Sequence, residues 1–83
     1  MEKMTYAQAE RLVPIIDAIM PSWIYLSLLR LFAGEKVNGI WLSGMQELGY
    51  IVLESRTEKW VLTEFANEEL GRVTKELETG RIG

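Results

Sequence analysis

The sequence predicts a mainly helical α+β domain in the order helix–helix–helix–strand–strand–helix. Three observations carry that expectation. Apolar residues recur at three- and four-residue steps across residues 9–48 and again after residue 64, which is the helical period. Pro21, Gly34 and Gly49 punctuate the first of these stretches into segments of helix length. Between the two stretches, Tyr50-Ile51-Val52-Leu53 and Lys59-Trp60-Val61-Leu62 flank a polar run, the pattern of a β-hairpin.

The first helix is expected to start at Thr5. Thr5 and Gln8 stand in capping-box spacing, where each side chain satisfies a backbone donor of the first turn. Ala9, Leu12, Val13, Ile16 and Ile19 then form one apolar stripe. Pro14 lies inside that stripe, removes a hydrogen bond, and predicts a kink or a join between two shorter helices. Ser22, after Pro21, is the expected cap of a second helix over residues 23–33. Only Ser27 and Arg30 are polar in that segment, so it should be central and packed on several sides, with Leu28 in the core. Gly34 closes it.

Asn38 is placed to cap a third helix over residues 39–48, with Ile40, Trp41, Met45 and Leu48 as its apolar members and Gly49 as its stop. The hairpin follows, with residues 55–58 as its turn. A lone hairpin is marginal in water, so it must pack on the helices. Thr63 is the expected cap of the last helix, which runs from Glu64 to about Thr79 and presents Phe65, Ala66, Leu70, Val73 and Leu77 as a buried stripe. Glu64 in its first turn and Lys75 near its end suit the helix dipole, and Glu68 with Arg72 makes an i,i+4 pair. Gly71 weakens its middle, and residues 80–83 are expected to fray.

Length and composition bound the function. The chain's 83 residues suit one domain, and 48% hydrophobic residues with three Trp supply a core. There is no Cys and no His, so the commonest metal ligands and the commonest general base are missing, and no metal or other cofactor is expected. The start, MEKMTYAQAERL, carries charges where the apolar part of a signal peptide would begin. Asp17, Pro21 and Arg30 interrupt the long apolar stretch of residues 15–33, against a membrane span. A cytoplasmic location is the resulting expectation. Five carboxylates fall in the last helix at solvent-face spacing beside Arg72 and Lys75, and no nucleophile–base pair or phosphate-binding Gly loop is visible. The expectation is a protein that is not an enzyme.

Residues 45–70, MQELGYIVLESRTEKWVLTEFANEEL, resemble the end of a winged helix-turn-helix domain of the MarR or PadR type. In that family a recognition helix runs into a Leu-x-x-x-Gly-Tyr-Ile-like segment, a hairpin wing follows, and Leu-Thr-Glu leads into the next helix. Leu48, Gly49, Tyr50 and Ile51 match the first part, and Leu62, Thr63 and Glu64 the second. The resemblance implies a winged-helix-like single domain over residues 1–83. It also implies a small DNA-binding transcriptional regulator, with double-stranded DNA as partner and a homodimer as a possible state.

The candidate nucleic-acid-binding residues are Arg56 and Lys59 on the wing, and Gln46 and Ser43 on the presumptive recognition helix. Against that reading, the helix GIWLSGMQEL has no Lys or Arg, Glu54 and Glu58 flank the wing cations, and the net charge is −3. Phosphate binding needs positive charge, and base readout favours Arg, Lys, Asn and Gln. The alternative is a protein-interaction module on the same scaffold, such as a small inhibitor or antirepressor of the kind phages and other mobile elements encode. Trp41 and Trp60 are candidate stacking surfaces, although core packing beside Tyr50 is the favoured place for both.

Overall fold

The structure, a computed structural model, describes residues 4–79. The elements are α1 (Tyr6–Arg11), α2 (Val13–Ile16), α3 (Ser22–Phe32), α4 (Gly39–Glu47), β1 (Ile51–Glu54), β2 (Lys59–Leu62) and α5 (Glu64–Thr79). The fold is therefore α+β, with helices, then one antiparallel hairpin, then a helix, a layout compatible with a winged helix. The expected fraying of residues 80–83 lies outside the described residues.

The capping box at Thr5 forms as expected. Thr5 Oγ1 accepts from the Gln8 amide at 3.2 Å, and Gln8 Oε1 accepts from the Thr5 amide at 3.0 Å. Pro14 falls in the first turn of α2, where its missing N–H costs nothing, and the break between α1 and α2 sits at Leu12. The cap of α3 differs from expectation. Pro21 occupies the N-cap position and Ser22 is the first helical residue. The carboxylate that serves this end comes from Asp17, whose Oδ1 accepts from the Ser22 amide at 2.8 Å. A proline cannot supply a side-chain acceptor, so the preceding turn provides one.

Helices α3 and α4 end in the same way. After α3 the Gly34 amide donates to the Leu31 carbonyl and the Glu35 amide to the Arg30 carbonyl. After α4 the Gly49 amide donates to the Gln46 carbonyl and the Tyr50 amide to the Met45 carbonyl. Both are Schellman closures, which need a left-handed residue, and Gly34 and Gly49 supply it at φ 79° and 84°. The second closure takes up Tyr50, which is why β1 begins one residue later than expected.

Helix α3 is the centre of the molecule. It contacts α1, α2, α4, α5 and β2, and it buries Ile24, Tyr25, Ser27 and Leu28. Around them gather Ala9, Ile16, Met20, Met45, Tyr50, Ile51, Ala66, Leu70 and Val73. Full burial of a Leu, Ile or Val side chain contributes about 1.5–3 kcal/mol by removing apolar surface from water. Three hydroxyls enter or border this core. The hydroxyls of Tyr25 and Thr74 hydrogen-bond at 2.6 Å and tie α3 to α5. The Ser27 hydroxyl is buried and has no hydrogen-bond partner among the described residues.

The hairpin pairs Ile51 with Leu62, Val52 with Val61, Leu53 with Trp60, and Glu54 with Lys59. Residues opposite each other share a face and alternate along the strand. Ile51, Leu62, Leu53 and Trp60 thus turn to the helices, and Val52, Val61, Glu54 and Lys59 turn away. Thr63 joins the hairpin to α5. Its amide donates to the Tyr50 carbonyl at 2.9 Å, its hydroxyl donates to the Gly49 carbonyl at 2.7 Å, and its Oγ1 accepts from the Ala66 amide at 3.2 Å.

In α5 the pairing differs from the expected Glu68–Arg72. The Arg72 guanidinium donates from two nitrogens to both carboxylate oxygens of Glu69, at 3.0 and 3.1 Å, and reaches Glu76 at 3.9 Å. The i,i+3 spacing lets the planar fork meet the carboxylate squarely, and Glu68 is left to solvent. Lys75 lies just before the last turn of α5, which has no cation among the described residues. Phe65, expected in the buried stripe, is about half exposed, with its ring against Tyr50 at 5.0 Å between centroids.

Candidate functional site

The four candidate residues are all exposed, and they fall in two groups. Ser43 and Gln46 lie one turn apart on α4, and Arg56 and Lys59 lie at the end of the hairpin. The turn over residues 55–58 is shaped by Glu58 in the left-handed region, φ 56°, by its amide donating to the Glu54 carbonyl at 2.7 Å, and by the Thr57 hydroxyl donating to Glu54 Oε1 at 2.8 Å. Arg56 and Lys59 form no ion pair among the described residues, and Glu54 stands opposite Lys59 in the strand register. The two cations are therefore available at the tip, within a frame of Glu54 and Glu58.

Helix α4 has a surface that the apolar pattern did not foretell. Of its expected apolar members only Met45 is buried. Ile40 is 80% exposed, Leu48 55% and Trp41 40%, and Val52 and Leu53 on the adjoining strand are about half exposed. The reason is geometric. A nine-residue helix buries one narrow stripe, and here Met45 with the half-buried Leu42 already fills the space facing α3 and β1. Ile40, Gly44 and Leu48 follow at four-residue steps on another stripe, with Ser43 and Glu47 beside them.

Trp41 is at the rim of the core instead of inside it. Its ring lies 6.2 Å from that of Trp23, at an angle of 49°. A Cβ on Gly44 would meet the edge of the Trp23 indole at 3.2 Å, so the absence of a side chain there lets α3's tryptophan approach α4. Trp60, in contrast, packs against the core as expected. The result is an apolar strip of Ile40, Trp41, Trp23 and Leu48.

The electrostatics of this face are one-sided. Between Lys36 and Arg56 the chain has no cation, and its only charged residues there are Glu47 and Glu54. On α5, the Arg72 fork holds the Glu69 carboxyl below its ordinary value. Burial pushes the Tyr50 hydroxyl up, helped by the charge of Glu69. Neither group lies on the α4 strip.

An open groove runs between the start of α1, the end of α3 and α5. Leu29, Ala33, Leu70, Gly71 and Thr74 form its wall, and the Arg30 guanidinium lies 4.3 Å from the centre of the Tyr6 ring. Among the described residues, no group of three or more acidic side chains is placed to hold a metal ion, and no helix is long and apolar enough to cross a membrane. No known protein family, curated protein or solved structure matches this chain.

Proposed function

We propose that this chain is a protein-docking module with a winged-helix-like layout, and that α4 is the face it offers. The observation that carries the reading is the character of α4. In a winged helix that grips DNA, this helix meets the phosphates and base edges. Here its exposed side chains are Ile40, Trp41, Ser43, Gln46, Glu47 and Leu48. Large apolar groups left in water and the absence of cations favour a protein surface over a polyanion. An inhibitor or antirepressor that occupies another protein is a role this face suits.

The second reading, a DNA-binding regulator, draws on the resemblance of residues 45–70 to MarR and PadR domains and on Arg56 and Lys59, both exposed and without ion-pair partners among the described residues. A gel-shift titration with random duplex DNA, at about 50 mM salt where phosphate contacts are strongest, separates the two. The docking reading expects no binding for the wild type, and hence no change in Arg56→Ala/Lys59→Ala. Binding that weakens steeply with salt and is lost in the double variant would install the regulator in its place.

A further inference from the structure

Resting on the docking reading, we infer that the partner of the α4 face is an apolar protein segment bearing Lys or Arg, and not a second copy of this chain. The inference starts from what α4 leaves in water. Ile40 and Leu48 stand two turns apart on one stripe, with Gly44 between them and the Trp23–Trp41 pair along one side. Glu47 lies on the same outward side, next to Leu48 and two turns from Ile40. A surface of this kind offers apolar contact area with a single charged group at its edge.

The charge selects the occupant. In the whole run from Val37 to Ser55, Glu47 and Glu54 are the only charged side chains. Two copies of the chain meeting through α4 would each bring a negative charge to the interface and neither helix would bring a cation. Like charges facing each other at an interface oppose association. A segment that covers Ile40, Trp41 and Leu48 with its own apolar side chains, and carries a Lys or Arg at its edge, meets Glu47 with the opposite sign. Helix-in-groove and strand-edge binders both present alternating apolar anchors in this way. The hairpin cations do not compete for Glu47, because Lys59 faces Glu54 across the strands and Arg56 lies on the turn beyond it.

The test uses the full chain and two synthetic helical peptides with the same Leu-rich apolar face, one flanked by lysines and one by glutamates. Binding is followed by amide chemical shifts and tryptophan fluorescence. The Lys-flanked peptide should bind about tenfold or more tighter than the Glu-flanked one, with the largest shifts at Ile40, Trp41, Glu47 and Leu48. Ile40→Asp, at a position too exposed to endanger folding, should weaken it about tenfold, and Glu47→Lys should reverse the preference between the peptides. Equal affinity for both peptides overturns the charge assignment and leaves the docking reading standing. Affinity for the Lys-flanked peptide that neither variant changes means attraction to the net negative charge of the chain, and overturns the site. Sedimentation showing a dimer that Ile40→Asp dissociates makes a second copy the occupant and overturns the inference. DNA that displaces the peptide from α4 overturns this inference and the docking reading together.

Discussion

Replacing Gly71 and Gly44 in turn by alanine measures whether the Trp23 indole is seated on α4. Both glycines are interior to helices, where Gly is less favourable than Ala by about 1 kcal/mol because it gives up more backbone freedom on folding. At Gly71 a Cβ meets nothing within 4 Å. Gly71→Ala should therefore gain that whole propensity difference, about 1 kcal/mol, which raises Tm by about 4–8 °C in a domain of this size. At Gly44 the same gain is opposed. The new methyl would sit 3.2 Å from one indole carbon of Trp23 and 3.8 Å from the next. The ring is half-buried, so it can shift by a few tenths of an ångström, at the cost of some contact with Trp41 and the core. Overpacking of this mild kind offsets a large part of the gain, and the net change for Gly44→Ala should fall within about 0.5 kcal/mol of zero. Urea titrations of the three proteins give the free energies, and tryptophan emission reports the displaced ring. If Gly44→Ala stabilises as much as Gly71→Ala and leaves the emission unchanged, Trp23 is not against α4 and the apolar strip described above does not exist as a unit.

Four other outcomes follow from the packing. Thr5→Ala should cost about 1 kcal/mol by removing one half of the capping box, read as a lower urea midpoint. Leu28→Ala should cost about 2–5 kcal/mol, since Leu28 is fully buried in α3; a loss below about 0.5 kcal/mol would place it outside the core. Ser27→Ala should raise stability by about 1 kcal/mol, because it removes a buried hydroxyl without a partner, and a lower midpoint would show that the hydroxyl is bonded in solution. Burial pushes the Tyr25 hydroxyl above its ordinary 10.0, with the Thr74 bond opposing and the charge of Glu78 adding to the rise. A group raised on folding contributes fully below its unfolded value and loses that contribution as pH climbs through the folded one. Stability should thus fall on the alkaline side above about pH 10, and Tyr25→Phe should make that fall shallower; equal slopes for the two proteins would refute the assignment.

The features legible in the sequence were those set by neighbours along the chain. Thr5 with Gln8, Asn38 before α4, Thr63 before α5, and Gly34 and Gly49 after their helices all act within a few residues, and each stands where local chemistry put it. Pro14 divided its helix for the same reason. The misplacements turned on side-chain geometry and packing, which spacing along the chain does not give. Ser22 looked like a cap because Ser is a good one, but the helix begins at Ser22 itself, and its amide donates to Asp17 in the corner between α2 and α3. Arg72 could meet Glu68, Glu69 or Glu76 by spacing alone, and side-chain geometry chose Glu69. For the candidate site, the exposure of Ser43, Gln46, Arg56 and Lys59 was readable from polarity. The exposure of Ile40, Trp41 and Leu48 was not, since periodicity shows that a helix is apolar and only packing shows which of its apolar sides has a neighbour.

Thr63 has a consequence for how the molecule opens. One hydroxyl proton reaches the carbonyl of Gly49, while the oxygen that carries it receives the Ala66 amide. The end of α4, the start of the hairpin and the first turn of α5 therefore share a single side chain. Separating the hairpin from Gly49 removes the bond that orients the hydroxyl capping α5, and unwinding the first turn of α5 leaves that hydroxyl held from one side only. These parts should exchange their amide hydrogens as one cooperative unit, with Ala66 and the Thr63 amide losing protection together. The hairpin tip beyond Leu53 lies outside that unit, and it can flex without disturbing the helix that follows it in the chain.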